Sequence, residues 1–323
     1  MDAIVAGAPD EVSSPATGGD ARAVASTTET SEVRQTMLDT VTPDATVVAR
    51  FGTLLQSQGD AVAEIQRDAL LSSSFWVNIA LAGFAILLFV YMGRNVQSPR
   101  ARLIWVATLL VPLVSLSSYA SLVSGLTVGF AEMPTGHPLG GEEVLSTWGR
   151  YLTWTFSTPA ILAALGLLAG TDFTKLFTAI AMDVAMCVTG LAAALVTSSH
   201  LFRWVFFGIS TAFFLVVVYV LLFEWPADAE AAGTADIFGT LRNLTVVLWL
   251  GYPIAWALGV EGLALLSVGA TSWVYSALDI LAKYVFAFLL LRWVADNEEV
   301  VATNPALFDD SGSAAGGATP ADD

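Results

Sequence analysis

Seven apolar stretches, at about 74–93, 103–126, 149–169, 176–198, 203–224, 238–259 and 270–294, constrain this chain more than any other feature. Each is long enough to cross ~30 Å of hydrocarbon as a helix rising ~1.5 Å per residue. Backbone N–H and C=O groups find no water in hydrocarbon, so such segments must bond internally, as helices. The expected fold is all-α, a seven-transmembrane-helix bundle in the cell membrane. Composition agrees: the 323 residues are 55% hydrophobic and 13% charged, and the mean hydropathy is +0.69, a polytopic membrane profile.

The flanks differ from this core. Residues 1–70 form an acidic N-terminal extension, read as largely disordered because it is rich in Ala, Thr, Ser and Gly without periodicity. Within it, residues 46–70 have the spacing of a short amphipathic surface helix. Residues 71–296 are the membrane domain and 297–323 a disordered tail. "MDAIVAGAPD" has no basic segment followed by an apolar core, so no cleavable signal peptide is expected. Most connections are short; "TVGFAEMPTGHPLGGEEVLST", between the second and third stretches, has room for a hairpin or lid.

Cations set the orientation. Arg94, Arg100, Arg102, Lys175, Arg242 and Arg292 fall at one set of helix ends. By the positive-inside rule those ends are cytoplasmic, which puts the N-terminus outside and the C-terminal tail inside. The four arginines of the N-terminal extension dissent, although only Arg67 lies near a span. A net charge of −16 with only two lysines suits high salt and a salt-loving host, and excludes nucleic-acid binding through basic patches. One cysteine excludes an internal disulfide framework, and two histidines exclude a histidine-rich metal site. No metal is expected.

The charges inside the spans carry the chemistry. "SALDILAKYVFAFLLL" places Asp279 and Lys283 four residues apart, on one helix face. A charge there costs a few kcal/mol or more, so it is a functional candidate. "WGRYLTWTFSTP" puts Arg150, Thr153, Trp154 and Ser157 at spacings of three, four and seven; "LWLGYPIAWALG" repeats the pattern with Trp249, Tyr252 and Trp256. Each feature has a plainer reading as well: aromatic stripes pack helices, Ser and Thr join them, and an Asp–Lys pair can be purely structural. Asp183 and Cys187 read as a hydrogen-bonded carboxyl and a packed thiol. A buried lysine is also a ready Schiff-base former.

Together, "RYLTWTFSTP", "LWLGYPIAW" and "LDILAK", in that order on seven spans, resemble the microbial rhodopsins over residues 74–294. The resemblance implies all-trans retinal attached to Lys283. It implies a pocket of Trp154, Thr158, Ile161, Met186, Gly190, Phe207, Ser210, Trp249, Tyr252, Trp256 and Ala282. Phe207 stands where the family's proton pump has tryptophan. A homotrimer with carotenoid between subunits is a further analogy from archaeal relatives.

Charge distinguishes among members. Where the proton pumps carry the aspartate that receives the Schiff-base proton, this chain has Thr153, and Ala164 stands at the cytoplasmic donor position. Of the outer carboxyl pair only Glu261 remains, with Thr271 at its partner's place. A protonated Schiff base on Lys283 and Arg150 give +2, and Asp279 gives −1. A buried net +1 calls for an anion. Thr153 and Ser157 offer O–H donors beside it, so chloride, abundant in brine, is expected to bind among Arg150, Thr153, Ser157, Asp279 and Lys283. The pattern resembles the family's light-driven chloride pumps, transporters and not enzymes. It implies inward transport driven by isomerisation of retinal to 13-cis, with Thr245 and Arg242 as exit contacts. The alternatives are a sensory rhodopsin signalling through a transducer and a seven-helix protein without retinal, which would leave Lys283 without a purpose.

Overall fold

The computed structural model describes residues 45–303. The disorder expected for residues 1–44 and 304–323 lies outside the described residues. The chain divides into two units, residues 1–55 and 56–323. The described residues of the first, 45–55, are helical and form the start of α1 (Ala45–Arg67). In the second unit, the later part of α1 buries Ala61 and Ile65 with Leu71, Phe75, Tyr119, Leu122, Val128 and Leu145.

Seven helices follow that are long and apolar enough to span a membrane: α2 (Ala69–Gly93), α3 (Pro99–Val123), α4 (Gly149–Ala169), α5 (Phe173–Leu195), α6 (His200–Ala231), α7 (Ala235–Leu258) and α8 (Val268–Asp296). Their starts are written locally. Asp68 accepts from the N–H groups of Leu70 and Leu71, Ser98 from Ala101, Asp172 from Lys175, Ser199 from Phe202 and Ser267 from Ala270. Each satisfies donors that a helix N-terminus leaves unpaired. Gly170 ends α4 at φ 71°, a left-handed position that favours glycine. Gly149 opens α4 where an added Cβ would stand 2.3 Å from the Thr127 hydroxyl oxygen, so only glycine fits there.

Consecutive helices pack side by side, and α8 returns to lie against α2 and α7, closing the ring. The outer faces are apolar: Phe84, Leu87, Phe156, Phe223 and Val247 are 62–73% exposed, as lipid-facing side chains are. The helices bearing the buried charges, α4 and α8, are the most enclosed, with 67% and 56% of their apolar windows buried. Two π-turns interrupt the spans. One, Val220–Glu224, precedes Pro226, which lacks the N–H needed to continue the ladder. The other, Ile280–Val285, contains Lys283; such single-turn widenings recur at functional sites.

Between α3 and α4 the long connection forms an antiparallel hairpin, β1 (Gly129–Glu132) with β2 (Glu143–Ser146), in register Gly129↔Ser146 through Glu132↔Glu143. At the opposite end, the tail expected to be disordered from residue 297 is ordered through 303. It forms α9 (Glu298–Ala302), which buries Val301. Glu298 Oε1 accepts from the backbone N–H of Gln97, 2.7 Å away, and from that of Ser98, tying the tail to the start of α3. Those contacts run between residues 200 positions apart, so the local sequence does not announce them.

Candidate functional site

The site lies where α4, α7 and α8 face one another. Arg150, Thr153 and Ser157 are buried along one face of α4, and Asp279 and Lys283 are buried on α8. Lys283 Nζ stands 3.0 Å from Asp279 Oδ1. At that distance the two form a buried ion pair. Asp279 is held from both sides: Tyr119 donates to Oδ2 and Tyr252 to Oδ1, each at 2.7 Å. Such charge-assisted bonds fix the carboxylate as an anion beside Lys283.

Arg150 is oriented by α3 and α8. Nη1 donates to the Tyr119 hydroxyl at 3.1 Å, and Nη2 to Ser272 Oγ at 2.5 Å. Its Nε has no partner. Thr153 Oγ1 donates to the carbonyl of Gly149 at 3.1 Å and also meets Ser118 Oγ. Ser157 Oγ is fully buried and makes no hydrogen bond, a cost unless some acceptor reaches it. Two cations, one carboxylate and an unpaired hydroxyl therefore share one buried region. Asp183 stands apart from this set: it accepts from Thr158 at 2.6 Å and has no cation within 4 Å among the described residues.

A cavity adjoins the charges, lined by side chains of α4, α5, α6, α7 and α8. Of the pocket residues expected from the sequence, Trp154, Thr158, Met186, Gly190, Phe207, Ser210, Trp249, Tyr252 and Trp256 line it. Ile161 and Ala282 are buried but not among its lining residues. Lys283 does not line it either, because its ammonium is turned onto Asp279, whose other partner Tyr252 does form the wall. Tyr151, Cys187, Thr211, Phe214, Pro253 and Tyr275 also line the cavity and were not read from the sequence. Phe207 and Trp256 stack at 4.5 Å between centroids, and Trp154 meets Tyr252 and Tyr275 edge-on at 5.2 Å. The aromatic walls fit a flat apolar polyene, and Lys283 supplies a buried amine to which the aldehyde of retinal could attach.

The residues expected as exit contacts lie apart from this region. Thr245 is buried with its hydroxyl unpaired, whereas Arg242 bonds Asn243 Oδ1 at 3.0–3.1 Å on an exposed face. Toward the hairpin end, beyond Arg150, Glu261 lies buried in the connection between α7 and α8. Burial pushes its carboxyl up to about 7, against the pull of Arg203 and Arg150. His137, in the hairpin connection, is shifted down by burial and by the neighbouring Arg203 and His200.

Comparison with known proteins follows this geometry. A family model described as bacteriorhodopsin-like protein matches residues 69–297. The chain is 73% identical to a halorhodopsin of Haloarcula marismortui over 272 residues, 84% of this chain and 97% of that one. A solved structure described as halorhodopsin, a light-driven chloride pump, is similar with a TM-score of 0.72 at 69% identity, covering 73% of this chain and 99% of that chain. A bromide-bound halorhodopsin from Halobacterium salinarum matches with a TM-score of 0.73 at 67% identity, over 74% and 99% of the two chains.

Proposed function

The chain belongs to the bacteriorhodopsin-like family, and from that premise we propose that it is a light-driven inward chloride pump of the cell membrane, with retinal held as a Schiff base on Lys283. The observation that carries the reading is the charge set: Lys283 and Arg150 are buried against one carboxylate, Asp279, and Thr153 stands on α4 in place of a second.

Retinal, when bound, supplies light absorption and a positively charged N–H whose direction changes on isomerisation. The chain's residues do the rest. Arg150 attracts the anion from the hairpin end, which faces outside because the other ends carry Arg94, Arg100, Arg102 and Lys175. Ser157, with an unpaired buried hydroxyl, donates to the ion, and Thr153 joins it by turning its O–H from the Gly149 carbonyl, so that the two replace hydration. Tyr119 and Tyr252 hold Asp279 as an anion and keep its charge from leaving the site. No carboxyl stands at 153 or 164 to relay a proton, so the transported charge is the halide. On the cytoplasmic side Thr245, buried on α7 with its hydroxyl unpaired, is the next donor for the ion. Trimer formation with carotenoid between subunits is part of the same reading, by analogy with archaeal relatives.

The sensory alternative is not favoured, since the sensory types usually keep a carboxylate where this chain has Thr153. Titrating the coloured protein with chloride in a sulfate background tests the reading. A saturable shift of the visible band is expected, and a spectrum indifferent to chloride would exclude chloride from the site.

A further inference from the structure

A second, smaller cavity lies between Arg150 and the hairpin end. Its inner wall is Ser272, whose hydroxyl receives Arg150 Nη2. Its outer wall is strand β2 with Ser146, and its side is Glu261 from the α7–α8 connection. It is small, with room for roughly one water-sized particle. Three polar atoms of its lining are buried without a partner: Ser146 Oγ, the Tyr275 hydroxyl and Glu261 Oε2. Unpaired buried polar groups are uncommon and costly, so three around one small space point to a guest that bonds them.

Resting on the chloride reading above, we propose that this cavity is a second anion station, where chloride is loaded from outside before passing Arg150, and that Glu261 admits it only with its carboxyl protonated. The charges around the cavity fit this division of labour. Arg150 is the cation at its inner end. Arg203 of α6 lies on the far side of Glu261, but its Nε donates to the Glu261 carbonyl at 3.1 Å and its Nη1 to the Val196 carbonyl at 2.9 Å. It therefore holds the loop backbone, and no ion pair within 4 Å ties up the carboxyl among the described residues. The other titratable groups around Glu261 are Tyr151 of α4, Tyr275 of α8 across the cavity, and His137 of the hairpin connection, which bonds the backbone at Val260 and Gly262.

Ionised, Glu261 places a negative charge against a space one particle wide, and an entering halide is repelled. Protonated, it adds an O–H donor to those of Ser146 and Tyr275. Loading then takes up one proton with each chloride, and the proton returns outside when the ion moves inward, so net transport stays one of chloride. Burial raises the carboxyl to about 7, which puts the switch in a range where ordinary changes of external pH reach it.

The test is the second-order rate of chloride re-uptake after a flash, measured against chloride concentration from pH 5.5 to 8.5 at constant ionic strength. In the wild type it should fall about tenfold between one unit below and one unit above a midpoint near 7, following the protonated fraction. Glu261→Gln should hold the fast, acid-side rate across the whole range. Ser146→Ala should lower the rate severalfold at every pH with the midpoint unmoved. A flat wild-type profile overturns the proposal, as does a Glu261→Gln profile that keeps the wild-type slope. If Glu261→Gln fails to assemble, the wild-type profile and Ser146→Ala decide on the same terms. The colour titration separates this proposal from the one beneath it. A protein whose colour ignores chloride overturns both, whereas a colour that responds with pH-independent re-uptake overturns the station alone.

Discussion

Replacing Thr153 by aspartate changes the charge of the site while nearly preserving side-chain size. The side chain sits on the buried face of α4, one turn from Arg150 and one from Ser157, and its hydroxyl bonds the Gly149 carbonyl and meets Ser118. An added carboxylate takes the interior from net +1 to neutral, so chloride is no longer needed for charge balance. Two like charges ~5 Å apart at an effective dielectric constant of ~20 repel by about 3 kcal/mol. At 1.4 kcal/mol per decade that is about a 100-fold loss of chloride affinity. Thr153→Val is the control, because it removes the hydroxyl without adding charge. One lost hydrogen bond of ~0.5–1.5 kcal/mol gives a loss of about tenfold at most. Both affinities are read from the visible band as chloride replaces sulfate at fixed ionic strength. If Thr153→Asp binds chloride as Thr153→Val does, repulsion is not what sets affinity and the charge argument fails.

Other consequences are independent of that substitution. Lys283→Ala should yield a folded, colourless protein after addition of retinal, and retained visible absorption would show that the pigment is attached elsewhere. Ser157→Ala should weaken chloride binding severalfold yet leave Tm unchanged, because its hydroxyl has no partner within the protein; a drop in Tm with unchanged affinity would reverse that assignment. Stability should depend on pH through Glu261, whose folded carboxyl titrates at about 7 and whose ordinary value is 4.5. Between these values the folded state binds more protons than the unfolded one, so stability falls as pH rises. Glu261→Gln should flatten that slope in thermal melts across pH 4.5–7, and an unchanged slope would assign it to another group.

Much of this was legible in the sequence because a membrane leaves so few options. Apolar runs of about 20 residues must be helices there, and Asp279, Lys283 and Arg150 stand out because charge in that setting is costly. What could not be read is which helices supply the partners. Tyr119 and Ser118 of α3, and Ser74 of α2, which shares a bond with Ser272, come from spans with no buried charge of their own. A signal did exist: "SLSSY" sets Ser115, Ser118 and Tyr119 at spacings of three and four, a polar stripe on an otherwise apolar helix. That Tyr252, from another helix, also bonds the carboxylate facing Lys283 has no trace in the local sequence. Helix α9 was missed because five polar-flanked residues carry no periodicity, and its order rests on Val301 and on Glu298 reaching Gln97.

The most direct test of chloride transport is light-driven movement of radiolabelled chloride into intact cells, or into vesicles that keep the cell's orientation, with a protonophore present. Inward pumping makes the interior negative, so labelled chloride should accumulate in the light, the outside should turn alkaline, and the protonophore should strengthen both. Acidification of the outside that the protonophore abolishes, without chloride accumulation, would mean that protons are the cargo and that the charge count at Arg150, Asp279 and Lys283 is wrong.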